Sequence, residues 1–213
     1  MELVLVAAAI TIMFLIMCIL SCCRSEPHRV DEDIDMIRHF SEALNIPLVE
    51  AERMLQEVKT SEPSVIERRL LLGNALGAAD RDVLRQHNVT HVVNATHNLP
   101  NHFEGDLSYL RVPVDDSLTS DLHSHLNDVI DWIAAALSDP YASGAVFIHC
   151  QQGVSRSATI TLAFLMRERG HSLASARDYV HQRRFIRPND AFVEQLRRYE
   201  GSMLARGSRK RGR

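Results

Sequence analysis

The residues best equipped for chemistry lie in one short run. His149-Cys150 is followed by Gln151-Gln152-Gly153-Val154-Ser155-Arg156 and then by Ser157-Ala158-Thr159. The apolar residues 145–148 before the run read as a strand, and the chain from Arg156 onward reads as a helix. Cys150 is thereby placed at a helix N-terminus, where turn N–H groups and the positive end of the helix dipole favour a thiolate. The same arrangement favours a bound phosphate. Gly153 permits a tight loop that a side chain would block. Arg156, six residues after the thiol, can return beside it and fork two hydrogen bonds to phosphate oxygens, which a lysine cannot do. The Ser157 hydroxyl can donate to the sulfur when it is the leaving group, and His149 is expected to hold the loop through a backbone hydrogen bond. The competing reading is a lone buried structural cysteine.

The elements that must position this run form an alternating pattern. Residues 69–73, 89–94, 109–114 and 145–149 are expected as strands, and 78–87, 121–137, 156–169, 173–183 and 190–204 as helices. Asp121 and Asp190 are plausible N-caps. Strands alternating with helices predict an α/β fold: a three-layer domain with a mainly parallel central sheet flanked by helices. In such sheets the ligand lies beyond the carboxyl ends of the strands, where Cys150 falls. Asn88-Val89-Thr90 and Asn94-Ala95-Thr96 are glycosylation acceptors only in a lumenal or extracellular setting, and Asn94 fits a strand end near the site.

The first part of the chain differs in character. Residues 3–23 run for 21 positions without a charge, enough at ~1.5 Å per residue to cross a bilayer core of about 30 Å. The start, Met1-Glu2, lacks the positive region of a secretory signal, and the nearby basic residues Arg24, His28 and Arg29 follow the stretch. Residues 1–24 are therefore expected as a transmembrane anchor, with the remainder in the cytosol by the positive-inside rule. A cleaved signal, a lipoprotein-like box at Ile19-Leu20-Ser21-Cys22 and a buried core helix are the alternatives, and Cys22 and Cys23 are candidates for palmitoylation. Residues 25–64 read as two short amphipathic helices broken near 45–47, then a linker over 61–64. They suit packing on the main domain, or a small docking module.

The run from His149 through Thr159 resembles the signature of the dual-specificity protein phosphatases, a branch of the cysteine-based protein tyrosine phosphatases. The likeness extends over about residues 65–200, through Leu72-Gly73, Val92-Val93-Asn94, residues 109–114, Arg187-Pro188-Asn189, Phe192, Gln195-Leu196 and Glu200. The chain is similar to the small atypical members, with an N-terminal membrane segment added. It departs at Arg184, where small relatives often have proline, and in a long 138–144 connection. Neither departure is expected to touch the chemistry. The resemblance implies a phosphatase-like fold and a two-step reaction. Cys150 attacks phosphorus, Asp116 protonates the leaving oxygen, and water activated by the same aspartate hydrolyses the phosphocysteine. It makes Cys150, Arg156, Asp116, Ser157 and His149 the catalytic set. The phosphate then rests on Gln151, Gln152, Gly153, Val154, Ser155 and Arg156. Asp115 is the runner-up acid, since adjacent residues of an extended segment point opposite ways. No metal and no cofactor is required.

The substrate implied is a phosphoprotein carrying phosphotyrosine, phosphoserine or phosphothreonine. A phosphoinositide or other non-protein phosphate monoester is an alternative, although Gln151, Gln152 and Val154 are uncharged where lipid-selective relatives tend to place lysines. A non-catalytic phosphoprotein-binding membrane scaffold is another, but it would be marked by loss of the thiol or the arginine. A nucleic-acid partner is not expected, because no aromatic residues interleave with the basic ones and the net charge is −3. Three of the four cysteines crowd into the N-terminal stretch, so no disulfide framework exists. The domain proper is expected over 65–204, with 205–213 a basic disordered tail.

Overall fold

A computed structural model describes residues 30–138 and 143–211. The expected transmembrane segment, residues 3–23, lies outside them. Among the described residues no helix is long and apolar enough to cross a membrane.

The chain divides into two compact units, Met1–Lys59 and Thr60–Arg213. Within the first, helices α1 (Val30–Leu44) and α2 (Leu48–Lys59) pair with each other as the 3.6-residue apolar spacing predicts. Asn45 takes a positive φ of 50° at the break between them. Phe40, Ala51, Met54 and Leu55 are buried, while Leu48 and Val49 are exposed.

The second unit is built on five strands: β1 (Ser64–Glu67), β2 (Leu70–Gly73), β3 (Val89–Asn94), β4 (Ser108–Arg111) and β5 (Ala145–His149). Their order is β1-β2-β5-β3-β4, with only the β1–β2 pair antiparallel. The expected mainly parallel sheet is present. Residues 61–64, expected as linker, run into β1 at Ser64, a short edge strand whose tight hairpin to β2 carries no Asn-Gly or Asp-Gly signal. Strand β4 stops three residues before Val114, because Pro113 has no N–H to offer a ladder. The single helix expected over 78–87 is two, α3 (Ala75–Ala79) and α4 (Arg81–Gln86). Asp80 divides them, its carboxylate accepting from the N–H groups of Asp82 and Val83.

Side chains alternate across the sheet, so the central strands β2, β5 and β3 feed two cores. Leu70, Leu72, Val93, Val146 and Ile148 face one core together with α5 (Leu126–Leu137), α6 (Arg156–Arg169), α7 (Leu173–His181) and α8 (Asp190–Arg211). Leu71, Val92 and Phe147 face the other, which is smaller and is completed by Ala78 of α3 and Leu84 of α4. Emptying the ring position of Phe147 would cost about 3–5 kcal/mol. Helix α6 is buried from Ser157 to Met166. Thr159 and Thr161 survive there because their hydroxyls donate to the Ser155 and Ser157 carbonyls.

Other helix ends also differ from expectation, α7 stopping at His181 rather than at 183. A 3₁₀ turn, His123–His125, precedes α5, and Asp121 accepts from Ser124 N–H ahead of it. The cap of α8 is Asn189 rather than Asp190, its Oδ1 accepting from Phe192 N–H at 2.9 Å. Residues 205–211, expected as disordered tail, continue α8 to Arg211. Leu204, Ala205 and the arginines after them are helix-compatible, and no proline stops the helix.

Candidate active site

Strand β5 is buried along its whole length and lies between β2 and β3. The loop leaving it, residues 150–155, emerges at the carboxyl ends of the parallel strands. It then enters α6, whose cap residue Ser155 makes no side-chain cap bond. The first-turn N–H groups of α6 are therefore left for a ligand.

Cys150 is buried and its Sγ accepts two hydrogen bonds, from Gly153 N–H at 3.3 Å and from the Ser157 hydroxyl at 3.2 Å. Burial pushes the thiol up, but the Arg156 guanidinium and the hydroxyl and N–H of Ser157 outweigh it, and the net effect lowers the thiol below its ordinary range. Gly153 takes φ +72°, where an added Cβ would sit 2.4 Å from the Gly73 carbonyl oxygen and 2.6 Å from Nη2 of Arg184. Only glycine fits between those atoms.

The carbonyls of loop residues 151–154 are each held by a donor from outside the loop. That of Gln151 accepts from Ala75 N–H, and that of Val154 from Arg187 N–H at 2.9 Å. Those of Gln152 and Gly153 accept from Arg184 at 3.1 and 2.8 Å. A trans peptide unit directs its N–H opposite to its C=O. Holding the carbonyls outward therefore turns the N–H groups inward, into a nest that fits a tetrahedral anion.

Arg156 donates to the Val114 carbonyl at 3.2 Å, and its Nε lies 3.6 Å from Asp116 Oδ2. That Nε is buried without a hydrogen-bond partner, as befits a donor reserved for a ligand oxygen. Asp116 Oδ1 accepts from the Ser155 hydroxyl and from Asn189 Nδ2, both at 2.8 Å. Asp115 turns the other way, pairing with His97 at 2.8 Å with its side chain 66% exposed, against 32% for Asp116. The alternation expected of neighbouring aspartates thus aims Asp116, and not Asp115, at the thiol loop.

His149 is buried and stacks on Phe147 with ring centroids 5.6 Å apart. Its Nδ1 lies 3.4 Å from the Cys150 carbonyl, a long contact for the expected loop-holding bond, and its Nε2 is without a partner. Burial pushes its pKa down to about 4, so the ring is neutral near pH 7. Asn94, the glycosylation candidate near the site, is buried and donates to the Leu99 carbonyl and Asn101.

The structure brings Cys150, Arg156, Asp116, Ser157 and His149 together with the loop 151–155. It also corrects one expectation. Arg184, read as a departure remote from the chemistry, is fully buried with its guanidinium against the loop carbonyls. Sequence reasoning likewise missed Asn189 as a partner of Asp116. The available signal for Arg184 was a charged residue next to the apolar pair Phe185-Ile186.

The family model described as "Dual specificity phosphatase, catalytic domain" matches residues 70–202. Among curated proteins, dual specificity protein phosphatase 1 of Homo sapiens is 44% identical over 137 residues, which make up 64% of this chain and 36% of that protein. The Drosophila melanogaster phosphatase Mpk3 is 42% identical over 149 residues, 68% of this chain and 36% of its own. The chain thus spans about a third of the length of these curated relatives. Among solved structures, human DUSP28 superposes with a TM-score of 0.63 at 34% identity, over 67% of this chain and 95% of that one. A mouse putative dual specificity phosphatase complexed with zinc tungstate gives a TM-score of 0.65 at 34% identity, over 71% and 94%.

Proposed function

The chain belongs to the dual-specificity phosphatase family, and we propose from that premise that it hydrolyses phosphate monoesters of protein tyrosine, serine and threonine through a phosphocysteine. The observation that carries this reading is the buried Cys150 Sγ. It accepts two hydrogen bonds inside a loop whose carbonyls are turned outward, beside an arginine with an unused donor.

The roles follow from position. Cys150 thiolate attacks phosphorus in line with the leaving oxygen, while the loop N–H groups and Arg156 hold the equatorial oxygens as charge spreads over them. Asp116, anchored through Oδ1, turns Oδ2 toward Arg156 at 3.6 Å, on the side where it gives its proton to the leaving alkoxide or phenoxide. Water then attacks the phosphocysteine as Asp116 takes the proton back. The sulfur leaves as a thiolate, stabilised by the Ser157 hydroxyl and Gly153 N–H. Gln151, Gln152 and Val154 add no cationic side chains for further phosphates, which favours phosphoprotein over phosphoinositide.

Residues 3–23 form the proposed membrane anchor, with the catalytic unit in the cytosol. The uncharged run and the basic residues after it support this reading. Resistance of the full chain to carbonate extraction, and digestion of the domain by protease added to the cytosolic side of sealed vesicles, are the expected results.

The activity is tested with the full chain on an aryl phosphate and on singly phosphorylated tyrosine and threonine peptides. Cys150→Ser is expected to abolish turnover while preserving the fold by circular dichroism. Turnover retained in that variant would overturn the covalent route.

A further inference from the structure

We infer that Arg184 is a positioning residue for the phosphate loop, gripping the outer face of two successive peptide units so that their N–H groups aim at sulfur and substrate. The inference deepens the phosphatase reading and rests on it.

The geometry is direct. Nη2 of Arg184 donates to the Gln152 carbonyl at 3.1 Å, and the N–H of that same peptide unit, carried by Gly153, donates to Cys150 Sγ at 3.3 Å. Nε donates to the Gly153 carbonyl at 2.8 Å, fixing the next unit, whose N–H belongs to Val154. Because a trans peptide is planar with its C=O and N–H opposed, rotation of either N–H away from the site would pull a carbonyl off the guanidinium. Nη1 reaches the Ser64 hydroxyl at 3.4 Å at the start of β1, which ties the grip to the sheet edge. The same Nη2 presses on the position where a Cβ of residue 153 would lie.

Energetics favour a specific role over space filling. Arg184 is completely buried, and removing a guanidinium from water is expensive unless it is hydrogen-bonded. Charge-assisted bonds to carbonyls are among the stronger ones, and a planar guanidinium meets two adjacent carbonyls where an ammonium aligns with one at a time. Its charge also lies behind the loop, so it polarises two peptide units whose positive ends face the anion.

The test uses Arg184→Lys and Arg184→Met in the full chain. Three quantities are read: aryl phosphate kinetics, protection of Cys150 from iodoacetate by inorganic phosphate, and the pH dependence of that alkylation in the absence of phosphate. A misplacement of about 1 Å at a catalytic centre costs ~10²-fold, and a loss of this order in kcat/KM is expected for Arg184→Met. Weaker phosphate protection and an alkylation profile displaced to higher pH should accompany it. Arg184→Lys, which keeps the charge and one donor direction, should fall between Met and wild type. If Arg184→Met does not fold, the lysine variant decides alone, through protection and the alkylation profile.

Folded variants that lose thermal stability yet keep wild-type phosphate protection and an unmoved alkylation profile would reduce Arg184 to a structural residue and overturn the inference. A wild-type chain whose Cys150 is not protected by phosphate would instead overturn the phosphatase reading itself.

Discussion

The loop after β5 and the loop after β4 meet at one site, yet they are held in different ways. The first leaves a strand at the centre of the sheet. Ala95 N–H donates to the His149 carbonyl on one side, Ala75 N–H to the Gln151 carbonyl on the other, and Arg184 and Arg187 grip the turn from behind. The second leaves an edge strand and is broken at Pro113. From Asp115 to Ser117 it is tied to the site mainly by side chains, with Ser155 and Asn189 on Asp116. The groups that must hold a fixed charge distribution are backbone groups, locked by backbone hydrogen bonds and by the buried Arg184 guanidinium. The group that must give and retake a proton is one side chain on a lightly tethered segment. Rigidity is concentrated where preorganisation lowers the barrier, and release is left where the chemistry has to reverse.

This contrast predicts unequal responses to substitution. Asp116→Ala removes the proton donor that the second loop carries, and turnover is expected to fall by about 10²- to 10⁴-fold. The loss should be greater for threonine than for aryl phosphates and should flatten the basic limb of the pH–rate profile. Asp115→Ala, by contrast, should change kcat by no more than about two-fold, as for an exposed surface residue. Reversal of that pair in steady-state kinetics would assign the acid to the other aspartate.

Arg156→Lys keeps a charge on the first loop but loses the planar fork, and a loss of about 10²- to 10³-fold in kcat is expected, as for deletion of one preorganised donor. Phosphate affinity measured by competition should weaken alongside. Unchanged kinetics would show that the backbone nest suffices without the fork.

His149 places an acid-sensitive group under the first loop only. Burial holds its folded pKa at about 4 against an ordinary 6.5. Above pH 6.5 both folded and unfolded chains carry it neutral, and it costs nothing. As the pH falls from 6.5 to 4, the unfolded chain takes up a proton that the fold refuses, and stability drops by roughly 3 kcal/mol across that window. Urea melts of wild type and His149→Asn at pH 7, 5.5 and 4.5 should show a shallower decline in the variant. Parallel declines would assign the acid sensitivity elsewhere.

An effect smaller than these, though larger than that at Asp115, is expected at the tether of the acid loop. Asn189→Ala removes one hydrogen bond to Asp116, worth about 1 kcal/mol or several-fold in rate. It also removes the α8 cap, a further ~1 kcal/mol of stability. A fall in kcat with unchanged KM for aryl phosphate, joined by a lower Tm, is the expected pattern. A rise in KM with constant kcat would show that Asn189 serves binding rather than the acid.

What the sequence by itself determined is the local assembly from residue 145 to residue 169. An apolar strand, a thiol, a glycine, an arginine and a helix follow one another without a gap, so local backbone preferences alone bring the thiol to a helix N-terminus with Arg156 beside it. The central strands were legible for a related reason. Strands β2 and β5, buried along their whole lengths, read as apolar runs, and β3 and β5 have the expected bounds. The short edge strand β1 lacked both a long apolar run and a recognisable turn. Only the tertiary structure decided which aspartate faces the thiol, because that depends on where β4 ends and how it pairs with β3. It alone brought Asn189 to Asp116 across 73 residues and Arg184 to the loop across 31. Contacts at such separations are set by strand order and helix packing, which no local pattern encodes. A buried charge is legible as purposeful only when the carbonyls that receive it are in view.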